Sequence, residues 1–247
     1  SDLSPIAATS GFAVFADAVA SGGHVGALVG SGMASVSRKE IDTLTDTVVA
    51  TIPVGANPAG IAYSRFYRTL WVANSGDGTA SVFGESATSV AGTTPVGTNP
   101  QGVACESFWV WVTNTGSNTV TKLFASGPGA VQATITVGTG PLAIVFDYQS
   151  MWVANTGATS LSRIPVDSIT PTTVALPVGA LPAKMCFNGT HVLIGCTNGS
   201  AFRIDVYTNT VLSMPSPWGL GVTSGVLAFD GLHTWAVHNN GLLVKVF

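Results

Sequence analysis

Four histidines, twelve carboxylates and three cysteines are the side chains with which this 247-residue chain could do acid–base, nucleophilic or metal chemistry. General acid–base work needs a base held and tuned by a neighbour, and a helical zinc pair needs histidines at i, i+4. His24, His191, His233 and His238 meet neither demand, because they fall in separate loops or strands. Asp77, in Asn74-Ser75-Gly76-Asp77-Gly78, is one acid in a glycine-rich turn, too few hard oxygens for calcium. Cys105, Cys186 and Cys196 form no disulfide framework. A two-residue hairpin at Asn188-Gly189 would pair 186 with 191 rather than 196, so buried free thiols are expected. The expectation is therefore no catalytic residue set, no metal site and no cofactor.

Binding chemistry is better represented. Trp218, in Pro215-Ser216-Pro217-Trp218-Gly219, could stack on a sugar ring or anchor a protein. His238, Asn239 and Asn240, with Asp77 and Asn118 in turns of the same kind, could surround it with hydrogen-bonding groups. A second candidate is Arg65-Phe66-Tyr67-Arg68, where two arginines flank two aromatics in a chain that is only 9% charged. Arg and Tyr are favoured at protein interfaces, so these four residues are the candidate protein-docking loop.

The elements that must position these residues repeat. Val54-Gly55-Ala56-Asn57-Pro58, Val96-Gly97-Thr98-Asn99-Pro100, Val137-Gly138-Thr139-Gly140-Pro141 and Val178-Gly179-Ala180-Leu181-Pro182 place their prolines 42, 41 and 41 residues apart. A period in the forties with strand-like content predicts one propeller blade per repeat. The expected fold is all-β: a six-bladed β-propeller of four-stranded antiparallel blades, about 41 residues each, in one domain over 1–247. The blades fall near 10–57, 58–99, 100–140, 141–181, 182–222 and 223–247. The last blade lacks a fourth strand, and the N-terminal segment, residues 1–9, is expected to supply it and close the ring. Donation of that strand by a second subunit is the alternative. Trp71, Trp111, Trp152 and Trp235 recur at one repeat position, which predicts packing between blades.

Leu70-Trp71-Val72-Ala73-Asn74-Ser75-Gly76, Val110-Trp111-Val112-Thr113-Asn114-Thr115-Gly116 and Met151-Trp152-Val153-Ala154-Asn155-Thr156-Gly157 resemble the YVTN type of β-propeller repeat. The likeness is strongest over residues 36–160. Blade five departs from it, with Leu193 in place of Trp and Cys196 in place of Asn. Such repeats occur in surface-layer, secreted, lyase-like and viral proteins, so the resemblance implies the fold and leaves function open. A streptogramin-lyase-like activity would call for a catalytic His with an acid partner, and no such motif is legible.

In a propeller, the loops entering each blade and the second-to-third turns share one face. The first-to-second and third-to-fourth links share the other. The first face carries Trp218, His238, Asp77 and Asn118, and the second carries Arg65–Arg68. Net charge −3 without a basic run argues against nucleic acid. No apolar run is long enough for a membrane helix. The resulting expectation is a non-catalytic recognition or structural module on a virion or extracellular surface. Its partner would be a glycan, a protein or other subunits of a surface assembly, with an oligomer possible.

Overall fold

The computed structural model describes residues 20–21, 24–29, 37–42, 47–85, 87–214, 227–229, 231–237 and 243–245. Every regular element among them is a strand. The strands pair consecutively into antiparallel sheets: five have four strands, and the sheet of Leu227–Phe229, Thr234–Val237 and Leu243–Lys245 has three. The closing segment expected at residues 1–9 lies outside the described residues, as do Trp218, His238, Asn239 and Asn240.

Burial changes across each sheet in the way its sequence reads. The second strands, Thr69–Asn74, Trp109–Asn114 and Ser150–Asn155, are near-continuous apolar runs and are buried on both faces. The third strands, Thr79–Gly84 and Thr119–Phe124, are buried except at their ends. The outermost strands, Val131–Thr136 and Thr172–Ala175, are Thr-rich and mostly exposed. First strands lie side by side from Pro58–Ser64 through Pro100–Glu106, Pro141–Phe146 and Pro182–Phe187 to Leu227–Phe229. Each of the first four begins with a bulge just after its proline, as between Pro58 and Ile61 or Pro141 and Ile144. Pro fits there because it has no ladder N–H to lose. Gly60 and Gly102 allow the close approach of neighbouring first strands, since a Cβ on either would run into the carbonyl of Gln101 or Leu142.

The tryptophans join neighbouring sheets. Trp71 is fully buried with Val103, Val110 and Val112 of the next sheet, Trp111 with Met151 and Val153, and Trp152 with Val192 and Ile194. The hydrophobic core is therefore a series of slabs between blades rather than one central cluster, as in other repeat architectures.

Cys186 and Cys196 are buried free thiols. Cys186 lies opposite Leu193, not residue 191, because the hairpin turns at Gly189-Thr190, one residue later, with Asn188 N–H donating to His191 O at 3.1 Å. Burial pushes the Cys186 thiol up to about 12. It is protonated at neutral pH, and neither a nucleophile nor a metal ligand in this state.

Candidate functional site

The two loop faces use their polar groups differently. On the face of the VGxNP loops, each loop is fastened to the second-to-third turn of its own sheet. Ser75 N–H donates to Asn57 O and Gly76 N–H to Ala56 O, and Thr115 and Gly116 repeat both bonds to Asn99 and Thr98. A buried asparagine completes the attachment. Asn114 Oδ1 accepts Gly97 N–H at 3.0 Å, while its amide donates to Thr119 and Thr121 hydroxyls at 3.1 and 2.9 Å. Asn74 makes the same three bonds to Gly55, Thr79 and Ser81. Gly97 has no room for a side chain, because a Cβ would sit 2.6 Å from Asn114 Cγ.

Two residues expected to bind ligand belong to this attachment. The Asp77 carboxylate accepts Ala56 N–H at 2.5 Å. Asn118 stands in the left-handed region at φ 56° and accepts Gly140 N–H of the next loop at 2.9 Å. Thr115 and Thr156 hydroxyls donate to Pro141 O and Pro182 O, at 2.6 and 2.7 Å, and so tie each turn to the following sheet. These side chains are therefore already hydrogen-bonded within the fold.

The opposite face presents large apolar side chains at its hairpin tips. In Arg65–Arg68, the Arg68 guanidinium donates from Nε to Glu85 Oε2 at 2.7 Å, and Glu85 N–H donates back to Arg68 O. The carboxylate raises the Arg68 pKa above its ordinary value. Tyr67 packs edge-on against Phe124, with centroids 5.4 Å apart. With those two residues anchored, Arg65 and Phe66 project outward; Phe66 is 62% exposed. Phe66 meets Phe108 of the next sheet at 4.7 Å, and Trp109 meets Phe124 at 5.5 Å. Five rings from two sheets thus form one partly exposed patch.

Phe108 was not singled out from the sequence. The signal available was its place at the tip of the two-residue hairpin between Glu106 and Trp109, in register with the blade-two insertion. A second aromatic group spans the fourth and fifth sheets, where Tyr148 lies 5.7 Å from Phe146 and 5.8 Å from Phe187. Tyr148 is 78% exposed and has φ 73°, a strained conformation for a bulky residue. The Asp147 carboxylate holds this turn by accepting Gln149 and Ser150 N–H at 2.8 and 2.6 Å.

Below the aromatic tips, cations brace the sheets. Lys122 is buried, with its ammonium 4.8 and 4.6 Å from the Trp109 and Trp111 ring centroids, and it donates to Val166 O of the next sheet at 2.7 Å. Desolvation lowers its pKa, opposed by Glu106 and Asp167; desolvation likewise raises that of Glu106, opposed by Lys122. Arg163 repeats the device, 5.3 Å over Trp152 and donating to Asn209 at 3.0 Å. Among the described residues no group of three His, Cys, Asp or Glu side chains could hold a metal ion.

No family model matches the chain. A 47-residue stretch, 19% of the chain, is 53% identical to aspartate–tRNA ligase of Ruminiclostridium cellulolyticum, but spans only 8% of that protein. Similar solved structures cover most of the chain. Virginiamycin B lyase from Staphylococcus aureus aligns with a TM-score of 0.73 at 12% identity, over 92% of this chain and 82% of that one. A streptogramin B lyase aligns at 0.69 and 14%, over 95% and 86%. The dihydro-heme d1 dehydrogenase NirN aligns at 0.65 and 16%, over 91% of this chain and 54% of its own. At these identities the likeness shows the fold alone: repeated antiparallel four-stranded sheets in a β-propeller arrangement.

Proposed function

We propose that this chain is a non-catalytic recognition module, a six-bladed propeller displayed on a virion or extracellular surface, and that it docks a protein through the face of the Arg65–Arg68 hairpin. One observation carries the reading: Arg65 and Phe66 project from a loop whose other two residues anchor it, beside the exposed Phe108. A preordered aromatic–arginine patch loses little conformational entropy on binding and has the composition of an interface hot spot. The opposite face suits this role less well, because Asp77 and Asn118 are engaged in holding its loops.

The test places a photo-crosslinking phenylalanine analogue at position 66 and, as a control, at position 118. It is paired with a glycan array probed by wild type, Phe66→Ala and Trp218→Ala. The expected result is one saturable protein adduct from position 66, with affinity lowered more than about tenfold by Arg65→Glu. A specific glycan signal lost in Trp218→Ala and kept in Phe66→Ala would instead place recognition on the VGxNP face.

Six blades require the three-stranded sheet of Leu227–Lys245 to gain an outer strand, and residues 1–9 are proposed to supply it. Deleting residues 1–9 is expected to lower the melting temperature sharply. An unchanged melt would rule this closure out.

A further inference from the structure

We propose that the protein docked by the face of the Arg65–Arg68 hairpin is a second copy of this chain, held face to face about a two-fold axis that passes beside Phe108. The inference rests on the docking reading above and names its partner.

Exposed aromatic side chains stand at the same hairpin of three successive sheets: Phe66 in the second, Phe108 in the third and Tyr148 in the fourth. The first strands of these sheets lie side by side in that order, so Phe108 is the middle of the row. At the Tyr148 end the row continues into the loop that follows Ser160–Pro165, because Val166 N–H donates to Gln149 O of the Tyr148 hairpin at 3.0 Å. Lys122 of the third sheet donates to Val166 O at 2.7 Å and holds the same loop from the Phe108 side. Asp167 and Ile169 in this loop are exposed.

The two ends of the row differ in charge. Arg65 is exposed beside Phe66, and Asp167 is exposed in the loop bonded to the Tyr148 hairpin. Only nine basic and twelve acidic residues serve the whole chain, so a cation at one end of an apolar row and an acid at the other is not the general character of this surface.

A two-fold rotation through the middle of the row exchanges its ends. It lays Arg65 and Phe66 of one copy on Asp167 and Tyr148 of the other, twice, and brings the two Phe108 rings together at the axis. Contacts of this kind are self-complementary and close at two subunits. A foreign partner would have to supply the matching acid and aromatic pattern, whereas a second copy already carries it. Contiguous exposed apolar side chains mark an interaction site, and opposite charges across it set the orientation. A row of three rings and one Ile is at the small end of specific interfaces, so the expected dimer forms at micromolar concentration.

Sedimentation velocity of the full chain through the micromolar range tests this, with Arg65→Glu and Asp167→Lys run alone and mixed. The wild-type chain is expected to pass from monomer to dimer and no further. Either variant alone sets like charges against each other at both ends, and is expected to raise the dimer Kd at least about tenfold. An equimolar mixture of the two variants restores opposite charges at both ends and is expected to regain the dimer. A wild-type chain that stays monomeric, assemblies larger than a dimer, variants as dimeric as wild type, or a mixture that stays monomeric would each overturn the proposal. Should either variant fail to fold, the concentration dependence of the wild-type chain remains decisive. A monomeric chain whose position-66 crosslinker captures an adduct of another protein's mass would sink the second copy and leave the docking reading standing. No adduct of any mass would sink both.

Discussion

Replacing Trp152 with alanine is expected to lower the unfolding free energy by about 3–5 kcal/mol, the range for deleting a large buried aromatic. The indole is fully buried and packs against Val192 and Ile194, so its loss opens a cavity between two sheets rather than inside one. Two polar partners are lost with it. Trp152 Nε1 donates to Asp147 Oδ2 at 2.7 Å, and Arg163 stacks at 5.3 Å from the ring. Trp152→Phe separates the contributions. It keeps most of the apolar contact but leaves the buried Asp147 carboxylate without its indole donor, for an expected cost of about 1–3 kcal/mol. Urea denaturation followed by circular dichroism measures both. A cost below about 1 kcal/mol for alanine would mean that the fourth and fifth sheets do not depend on this slab.

The repeat period and the tryptophan positions were legible because they are properties of one repeat read several times. The VGxNP motif carries its own explanation, with Gly97 against Asn114, and Asn57 and Asn99 in left-handed conformations that asparagine tolerates. Relations between repeats were harder to read. Lys122, Arg163, Arg203 and Lys245 stand 41, 40 and 42 residues apart, four of only nine cations, each opposite the second-strand position of Trp111, Trp152, Leu193 or Trp235. This spacing was present in the sequence. Its meaning depends on the hairpin register, which puts a third-strand side chain over a second-strand ring. The patch of Phe66 and Phe108 was less legible still, since its rings come from different sheets and only the packing of blades brings them together. The candidate ligand residues show the converse: Asp77 and Asn118 look available as residue types, and hydrogen bonds from Ala56 and Gly140 give them a structural task.

The fifth sheet supplies a natural comparison for the asparagine attachment. There Cys196 replaces Asn, Phe202 stands where the third sheet has Thr121, and the corresponding glycine, Gly179, has no neighbour within 4 Å of a built Cβ. The asparagine, the buried Thr121 hydroxyl and the glycine constraint are absent together, while Ser200, in the place of Thr119, turns its hydroxyl to Asn198 Oδ1 at 2.6 Å, as expected if an unpartnered buried polar group costs more than removing its partners with it.

That argument predicts a non-additive result in the third sheet. Asn114→Ala alone is expected to destabilise by about 2–4 kcal/mol, because it strands Gly97 N–H and removes the donor shared by Thr119 and Thr121. Adding Thr121→Val to Asn114→Ala removes one stranded hydroxyl in a buried position, so the double variant is expected to be more stable than the sum of the single variants by about 1 kcal/mol or more. The effect belongs to contact, so Asn114→Ala combined with the distant Arg203→Ala is expected to be additive. Denaturant midpoints for the four proteins of each cycle decide the matter. Additivity in both cycles would show that the asparagine acts through local backbone geometry alone, and that the hydroxyls of the third strand do not share in its attachment.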